Sequence, residues 1–223
     1  MDNFNNTSND RVSYIEIEIM KEKSNIFLNK KILVYGLGKS GISAFNFLKK
    51  NNKIYLFDDF KKIKKNKTLK KKFISFNIIK KNKFDAIILS PGIDLNKCKL
   101  KTYLKKNKKI IYTDLDIFYS FYKNQCITIT GTNGKSTTCQ LLYEFLKKQK
   151  YNVKLAGNIG YPILSIRNIS PKSIFVIEAS SYQLEYSKLF KSKYSAILNI
   201  KPDHLERHKN LKNYISAKLK LIK

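Results

Sequence analysis

Two glycine-rich segments each follow a short apolar run and precede a stretch with helical spacing, and this arrangement limits the possible folds most. The first is GLGKSG at 36–41, after KILVY at 31–35, and the second is TGTNGKST at 130–137, after CITIT at 126–130. Each segment turns a strand directly into a helix, so that backbone N–H groups collect at a helix N-terminus. Such strand–turn–helix units are typical of parallel sheets that helices cover on both faces.

Further apolar runs extend this pattern into two successive α/β units that meet near residue 113. The strands of the first unit are predicted at 31–35, 53–57, 84–90 and 108–112, and those of the second at 126–130, 153–157, 174–180 and 194–200. Before them lies a polar N-terminal extension, residues 1–28, with an alternating pattern at 14–19 that fits a short strand. The second unit looks unfinished, because its last helical stretch simply stops.

The predicted helices follow from apolar spacing. One covers 42–50, and a second begins around Lys135 with an apolar stripe made of Leu141, Leu142, Phe145 and Leu146. The final stretch, 211–223, is also helical in pattern.

The charge of the chain is its most extreme compositional feature. It has 45 Lys and Arg against 16 Asp and Glu among 223 residues, for a formal net charge of +29. A basic surface for nucleic acid is one explanation. However, arginine, which reads guanine and phosphate bidentately, occurs only at positions 11, 167 and 207. A composition biased by AT-rich coding is the favoured explanation, and we expect no specific nucleic-acid partner.

Cysteine usage and hydropathy indicate a cytoplasmic globular protein. Cys98, Cys126 and Cys139 have neither metal-like spacing nor the density of a disulfide scaffold, which favours a reducing compartment. No apolar run approaches the roughly 20 residues that a membrane helix needs, and the N-terminus lacks a signal pattern. We therefore expect no membrane association.

The first glycine segment predicts a nucleotide site. Its glycines permit a tight turn and the approach of a phosphate to the helix N-terminus. Asp58 lies 22 residues beyond Gly36, at the end of the next strand, where an acid commonly meets a ribose hydroxyl. These residues leave open a nicotinamide cofactor, another nucleotide with a pyrophosphate, or a glycine turn without a ligand.

The second glycine segment has the composition of a phosphate-binding loop. Gly131 and Gly134 free the backbone to surround phosphate oxygens, Lys135 supplies a positive charge, and Ser136 offers a hydroxyl to Mg²⁺. The segment departs from the general P-loop spelling, because Ile129 stands where the first glycine would be. A nicotinamide-dependent dehydrogenase is disfavoured, since this second loop would have no role in one.

The spelling TGTNGKST resembles the loop of the Mur ligase and folylpolyglutamate synthetase group. Four further segments narrow the resemblance to the Mur ligase family: AGNIG at 156–160, EASSYQLE at 178–185, LNIKPDHLERH at 198–208 and SPG at 90–92. The second of these looks like the branch that joins D-glutamate to UDP-N-acetylmuramoyl-L-alanine. The resemblance runs from about Lys30 to Lys223.

This resemblance implies a Rossmann-like UDP-substrate-binding domain over 29–113 and a truncated, P-loop-type ATPase domain over 114–223. The first glycine turn then serves UDP and not a dinucleotide. The positions implied to contact the UDP-substrate are Gly36, Lys39, Ser40, Asp58, Asp59, Gly92, Asn158 and His204. Phe60 stands where some relatives have an arginine, which affects the contacts on the uracil side.

The resemblance also implies an ATP site and two Mg²⁺ ions. The ATP-binding positions are Gly131, Thr132, Asn133, Gly134, Lys135, Ser136 and Thr137. The implied metal ligands are Ser136, Glu178, His204 and Lys218, the last as a carbamate derived from CO₂, and the implied catalytic residues are Lys135, Glu178, His204 and Lys218. Without the resemblance, Lys218 would be predicted as a solvated helix residue. Glu178 would be either a surface acid or, at the end of IFVIE, a ligand position.

The implied activity is an ATP-dependent amide ligase of peptidoglycan precursor synthesis, acting on UDP-N-acetylmuramoyl-L-alanine, D-glutamate and ATP through an acyl phosphate. Family members carry a third domain that closes over ATP. We therefore expect a monomeric chain without the C-terminal domain, either a fragment or one whose remainder is a separate chain, and incomplete for turnover alone. A non-catalytic UDP-sugar-binding module stays as the main alternative, and tetrahydrofolate ligation is the nearest alternative enzyme.

Overall fold

The structure, a computed structural model, describes residues 25–60 and 67–222. The strands are β1 Lys31–Tyr35, β2 Lys53–Phe57, β3 Ala86–Leu89, β4 Ile111–Tyr112, β5 Gln125–Thr130, β6 Val153–Gly157, β7 Ile174–Glu178 and β8 Tyr194–Ile197. The helices are α1 Lys39–Leu48, α2 Lys67–Lys72, α3 Phe76–Lys81, α4 Lys101–Lys106, α5 Asp114–Phe121, α6 Lys135–Lys148, α7 Ser181–Tyr186, α8 Leu205–His208 and α9 Leu211–Leu219. The strand predicted at 14–19 and part of the lysine-rich stretch, 61–66, lie outside the described residues.

Two four-stranded parallel sheets confirm the predicted α/β class. Their strand orders are β2-β1-β3-β4 and β6-β7-β5-β8. In the first sheet β2 lies on one side of β1, and β3 and β4 lie on the other side. In the second sheet β6 and β7 lie on one side of β5, and β8 lies on the other. The strand order therefore reverses at β1 and at β5. Ligands of open α/β sheets bind at the carboxyl ends of such strands. One glycine-rich loop follows β1, and the other follows β5.

Strand β1 shows why the apolar runs become buried parallel strands. Ile32 and Val34 belong to one hydrophobic core, whereas Leu33 and Tyr35 belong to the core on the opposite face. All four side chains are fully buried. A continuous apolar run, and not an alternating one, is what a strand covered on both faces requires.

Helix α5 joins the two sheets. It begins in a capping box of Thr113 and Asp116, and the buried Asp116 carboxylate also accepts backbone N–H bonds from Lys188, Leu189 and Phe190. Asp116 therefore both takes part in the N-terminal cap of α5 and binds this helix to the backbone of residues 188–190 in the second unit.

The packed structure of the first unit includes part of the predicted N-terminal extension. Phe27 is fully buried and its ring meets that of Tyr112 edge to face, 5.1 Å between centroids. Asn25 donates a hydrogen bond to the carbonyl of Ser120, 3.0 Å. Phe27 of this segment thus belongs to the same hydrophobic core as Ile32 and Val34, whereas Ile26 is exposed.

Two local predictions were wrong. Only Ile111–Tyr112 of the fourth run pairs as a strand, because Lys108–Ile110 forms a 3-10 turn first. In α6 the predicted stripe is split: Leu142 and Leu146 pack beside the buried Cys139, but Leu141 and Phe145 are 63% and 60% exposed. The buried face follows the i, i+3, i+7 line from Cys139, and Leu141 and Phe145 lie to one side of it.

Within the described residues, no helix combines the length and the apolar character that crossing a bilayer would require.

Candidate functional site

The first glycine loop closes tightly onto the helix that follows it. Gly36 has a φ of +92°, a backbone conformation that favours glycine. Its carbonyl oxygen accepts a 2.6 Å hydrogen bond from the Ser90 hydroxyl, and a Cβ on Gly41 would overlap that same oxygen. The loop can therefore sit against the N-terminus of α1 only with glycine at position 41.

Two acids follow the end of β2, and one of them bonds to this loop. Asp58 accepts backbone N–H bonds from Leu37, 2.6 Å, and from Phe60, 2.9 Å. Asp59 accepts a 2.8 Å bond from the Tyr35 hydroxyl and a 3.1 Å bond from the Lys99 backbone N–H. Burial, followed by the hydrogen bond to Asp59, raises the pKa of Tyr35 well above its ordinary value. Asp58 thus shapes the loop itself, whereas Asp59 bonds to the end of β1 and to the segment at Lys99.

The structure brings the other first-unit candidates to the same edge of the sheet. Lys39 is exposed and Ser40 half-buried in the first turn of α1, and the exposed Gly92 follows the end of β3. Lys39 and Ser40 thus lie at the helix N-terminus, where an anion is stabilised by free N–H groups, and Gly92 lies after the end of the neighbouring strand β3.

The second loop carries the backbone geometry that its sequence predicts. Gly131 and Gly134 have φ values of +154° and +81°, and α6 begins at the next residue, Lys135. Asn199, just after β8, supports the loop through its side chain: its Oδ1 accepts from the Asn133 backbone N–H, 2.9 Å, and its Nδ2 donates to the Asn133 carbonyl, 3.1 Å.

A buried carboxylate faces the start of α6. Glu178 ends β7, next to β5, and is 1% exposed. Its two oxygens accept hydrogen bonds from the Ser136 hydroxyl, 2.8 Å, and from the Asn158 side-chain amide, 3.2 Å. No lysine, arginine or histidine of the described residues forms an ion pair with it. The surface-acid alternative is therefore wrong, and the carboxylate with the adjacent hydroxyl is a donor set that suits Mg²⁺.

Two lysines donate hydrogen bonds to carbonyl oxygens of the second loop. Lys135 Nζ donates to the Thr132 carbonyl, 2.7 Å, and Lys218 Nζ donates to the Gly131 carbonyl, 2.8 Å. Lys218 is 1% exposed, so the solvated-lysine prediction from sequence alone was wrong. Burial, followed by the positive charge of Lys135, lowers the pKa of Lys218 to about 8.

His204 is placed differently from the other candidates. It starts α8 with a left-handed backbone, φ +52°, and is exposed. Its ring lies 4.9 Å from that of Tyr182, and its nitrogens lie 3.4 Å from an Asp203 oxygen and 3.8 Å from a Glu206 oxygen. Among the described residues, no hydrogen bond joins His204 to Glu178 or Lys218, and no cluster of three or more acidic, histidine or cysteine side chains could hold a metal by itself.

Tyr214 is a site residue that sequence reasoning missed. Its hydroxyl is 3.1 Å from the Thr132 hydroxyl in the second loop, and Lys218 Nζ lies 4.6 Å from its ring centroid. The available signal was the i, i+4 spacing of Tyr214 and Lys218, which places both on one face of α9.

Replacing Lys218 by methionine is expected to stabilise the fold by about 1–3 kcal/mol at pH 7, since a buried ammonium disappears. The folded-state pKa of about 8 lies below the ordinary 10.5, so the folded protein binds fewer protons than the unfolded chain between these values. The unfolding free energy of the unchanged protein therefore rises with pH across this window, and the full penalty applies below it. Chemical denaturation at pH 7 and at pH 9.5 measures the difference in unfolding free energy between the methionine variant and the unchanged protein, and this difference should be smaller at pH 9.5. A difference that does not change with pH would contradict a buried amine with a lowered pKa.

Two successive parallel sheets, each with a glycine loop between a strand and a helix, define a two-domain α/β protein. Comparison with models of known protein families shows to which family the chain belongs. Residues 30–112 match the Mur ligase MurD-like N-terminal domain, and residues 129–223 match the Mur ligase middle domain. The chain belongs to the Mur ligase family, in its MurD-like branch.

Two curated relatives illustrate the similarity, and both carry the same name. The UDP-N-acetylmuramoylalanine–D-glutamate ligase of Caldicellulosiruptor saccharolyticus is 41% identical over 204 residues, 86% of this chain and 45% of the relative. That of Rickettsia bellii is 39% identical over 202 residues, 88% of this chain and 44% of the relative. The chain thus spans less than half the length of these relatives.

A solved structure supports the fold. The UDP-N-acetylmuramate:L-alanyl-gamma-D-glutamyl-meso-diaminopimelate ligase from Neisseria meningitides superposes with a TM-score of 0.53 at 15% identity. The match covers 87% of this chain and 68% of that one.

Proposed function

We propose that this chain binds UDP-N-acetylmuramoyl-L-alanine at its first glycine loop and ATP at its second, as part of a ligase that adds D-glutamate. The observation that carries the proposal is the juxtaposition of Ser136 and Glu178, 2.8 Å apart, beside Lys135 on a loop with two left-handed glycines. The names of the relatives support the choice of substrates. The proposed domains remain 29–113 for the UDP-substrate and 114–223 for ATP.

The proposed reaction has two steps. A carboxylate oxygen of the alanyl group attacks the γ-phosphorus of ATP, so that ADP leaves and an acyl phosphate forms. The amine of D-glutamate then attacks the acyl carbon, inorganic phosphate leaves with the bonding pair, and the amine loses a proton. Backbone N–H groups of residues 131–137 and the Lys135 ammonium, freed from the Thr132 carbonyl, offset the charge on the transferring phosphoryl group.

Ser136 and Glu178 fit a Mg²⁺ ion, because a buried carboxylate beside a hydroxyl has only neutral partners among the described residues. When bound, such an ion would neutralise phosphate charge. Asn158 would keep the carboxylate oriented through its 3.2 Å bond. A second Mg²⁺, on His204 and carbamylated Lys218, stays a prediction from the family resemblance.

The carbamate on Lys218 is proposed on the burial of this amine beside the second loop. Its neutral form attacks CO₂ at carbon and releases one proton, and a lowered pKa increases the neutral fraction near pH 8. We expect a carbamate ¹³C resonance in the protein under ¹³C-bicarbonate and no such resonance in the Lys218→Met variant. A folded, ATP-binding protein without this resonance would contradict the carbamate.

A turnover assay tests the proposed reaction. The chain is mixed with UDP-N-acetylmuramoyl-L-alanine, MgATP and either D- or L-glutamate, with and without the C-terminal part of the Caldicellulosiruptor relative. We expect phosphate release and amide product only with D-glutamate and in the presence of that C-terminal part. Substrate binding without phosphate release in every mixture would instead support a non-catalytic UDP-sugar-binding fragment.

A further inference from the structure

Arg207 is a buried arginine whose charge is only partly paired. Its side chain is 7% exposed, and its Nε lies 3.7 Å from Glu185 Oε2, which is longer than a normal N–H···O hydrogen bond. Neither Arg207 Nη2 nor that oxygen has a hydrogen-bond partner among the described residues. Burying a guanidinium with incomplete pairing costs free energy. Stability alone therefore does not account for an arginine at this position.

The guanidinium lies against an aromatic ring. Arg207 Cζ is 4.4 Å from the centroid of the Tyr182 ring, within the range of a cation–π contact. Tyr182 belongs to α7 and Arg207 to α8, so this contact joins two short helices. Arg207 thus fixes the place of the Tyr182 ring relative to α8.

The same ring also meets His204, the residue at which α8 begins. The two ring centroids are 4.9 Å apart, and the ring planes are tilted by 47°. His208 contacts Tyr182 as well, at 5.5 Å, and its Nε2 lies 3.0 Å from Ser181 Oγ. Positions 204, 207 and 208 have the i, i+3, i+4 spacing of one helix face. One face of α8 therefore packs on Tyr182.

The other contacts of His204 fix its ring only weakly. Its side chain is 46% exposed, and the carboxylates within 4 Å of its nitrogens, those of Asp203 and Glu206, are 41% and 67% exposed. Exposed pairs of this kind contribute little. His204 follows β8 and Tyr182 follows β7, and these strands lie on either side of β5. The two rings thus meet at the carboxyl ends of these strands, where ligands of open α/β sheets bind.

We propose that Arg207 is a positioning residue, which acts through Tyr182 to hold the His204 imidazole at the carboxyl edge of the second sheet. This inference rests on the proposed function, in which His204 of the second unit contacts the UDP-substrate whose UDP group binds at the first loop. A ring that is already oriented loses less conformational entropy when a ligand binds, so positioning increases affinity. The effect applies to the complete substrate and not to UDP alone.

NMR spectra of the histidine rings test the positioning directly, because the chain has only two histidines, His204 and His208. The signal missing in His204→Gln is that of His204. Tyr182→Leu gives its chemical shift without the aromatic ring, whereas Tyr182→Phe keeps the ring and should keep the shift. We expect Arg207→Met to move the His204 signal toward its Tyr182→Leu value. Arg167→Met removes the same charge from an exposed position and should leave the signal unchanged.

Calorimetric titrations measure the consequence for binding. Arg207→Met should bind UDP-N-acetylmuramoyl-L-alanine about tenfold more weakly, the cost of ordering one side chain, and should bind UDP as the unchanged protein does. Arg167→Met should match the unchanged protein for both ligands. Thermal unfolding shows whether each variant is folded. If Arg207→Met does not fold, Tyr182→Leu gives the same comparison, since it removes the ring and leaves the arginine.

The outcomes separate this inference from the function on which it rests. If Arg207→Met is less stable but keeps the His204 signal and both affinities, Arg207 only supports packing and the inference is wrong. Equal losses of UDP and of the complete substrate would also contradict it. If the unchanged protein binds neither ligand, the proposed function fails, and the NMR comparison alone decides whether Arg207 holds His204.

Discussion

Replacing Lys135 by alanine is expected to lower product formation at least about a hundredfold, while the affinity for the UDP-substrate stays within about twofold. Lys135 is the side-chain cation at the start of α6, and its Nζ lies 2.7 Å from a carbonyl of the loop itself. The positive charge is therefore at the loop before ATP arrives, and its loss removes from the transferring phosphoryl group the ammonium at the start of α6. Product formation in the reconstituted assay and calorimetric titration of the UDP-substrate measure the two effects.

Lys147→Ala is the matched control, because this lysine lies on the last turn of the same helix α6. It removes the same charge from the chain and should leave both measurements unchanged. Equal losses of ATP and UDP-substrate binding in Lys135→Ala would show that the two ligands have been assigned to the wrong loops.

The second large effect is expected at Gly41, where alanine should destabilise the fold by about 3 kcal/mol or more. Its Cβ would overlap the Gly36 carbonyl oxygen and lie 2.7 Å from Ser90 Oγ. Helix α1 would then have to move away from the loop, and the 2.6 Å bond between Ser90 and Gly36 would be lost. Urea denaturation measures the change in unfolding free energy.

Gly38→Ala in the same loop provides the comparison. A Cβ at position 38 has no atom within 4 Å, and the residue has an ordinary φ of −72°. Its unfolding free energy should change by no more than about 0.5 kcal/mol. Similar losses in the two variants would contradict the close contact of α1 with the loop.

Most of the fold could be predicted because buried parallel strands leave a clear signal. The runs at 31–35, 53–57 and 153–157 became strands with the predicted bounds. The errors have local causes. Helix α6 has apolar residues on two sides, and spacing alone does not say which side meets the sheet, so Leu141 and Phe145 were placed in the core.

The site could be predicted only in part from the residues themselves. The spelling of the second loop identifies Lys135 and Ser136, because phosphate binding needs glycine, lysine and a hydroxyl in one short segment. Lys218 has no such local signal. Its burial depends on the packing of α9 against the loop at 130–131, a long-range contact that appears only in the folded chain.

The acids at the end of β2 show a different limit. Their position in the sequence predicts contact with a nucleotide, but it does not reveal that Asp58 and Asp59 also accept bonds from Leu37, Phe60, Tyr35 and Lys99. Strand order and loop closure decide such partners, and neither can be obtained from spacing.

Calorimetric titration of the unchanged chain with UDP-N-acetylmuramoyl-L-alanine and with MgATP, each in the presence and absence of the other, tests the central claim most directly. Two glycine loops on separate sheets predict one site for each ligand, with both sites occupied at once and each lost through substitutions in its own loop. Competition between the two ligands for one site, or a folded chain that binds neither, would contradict it.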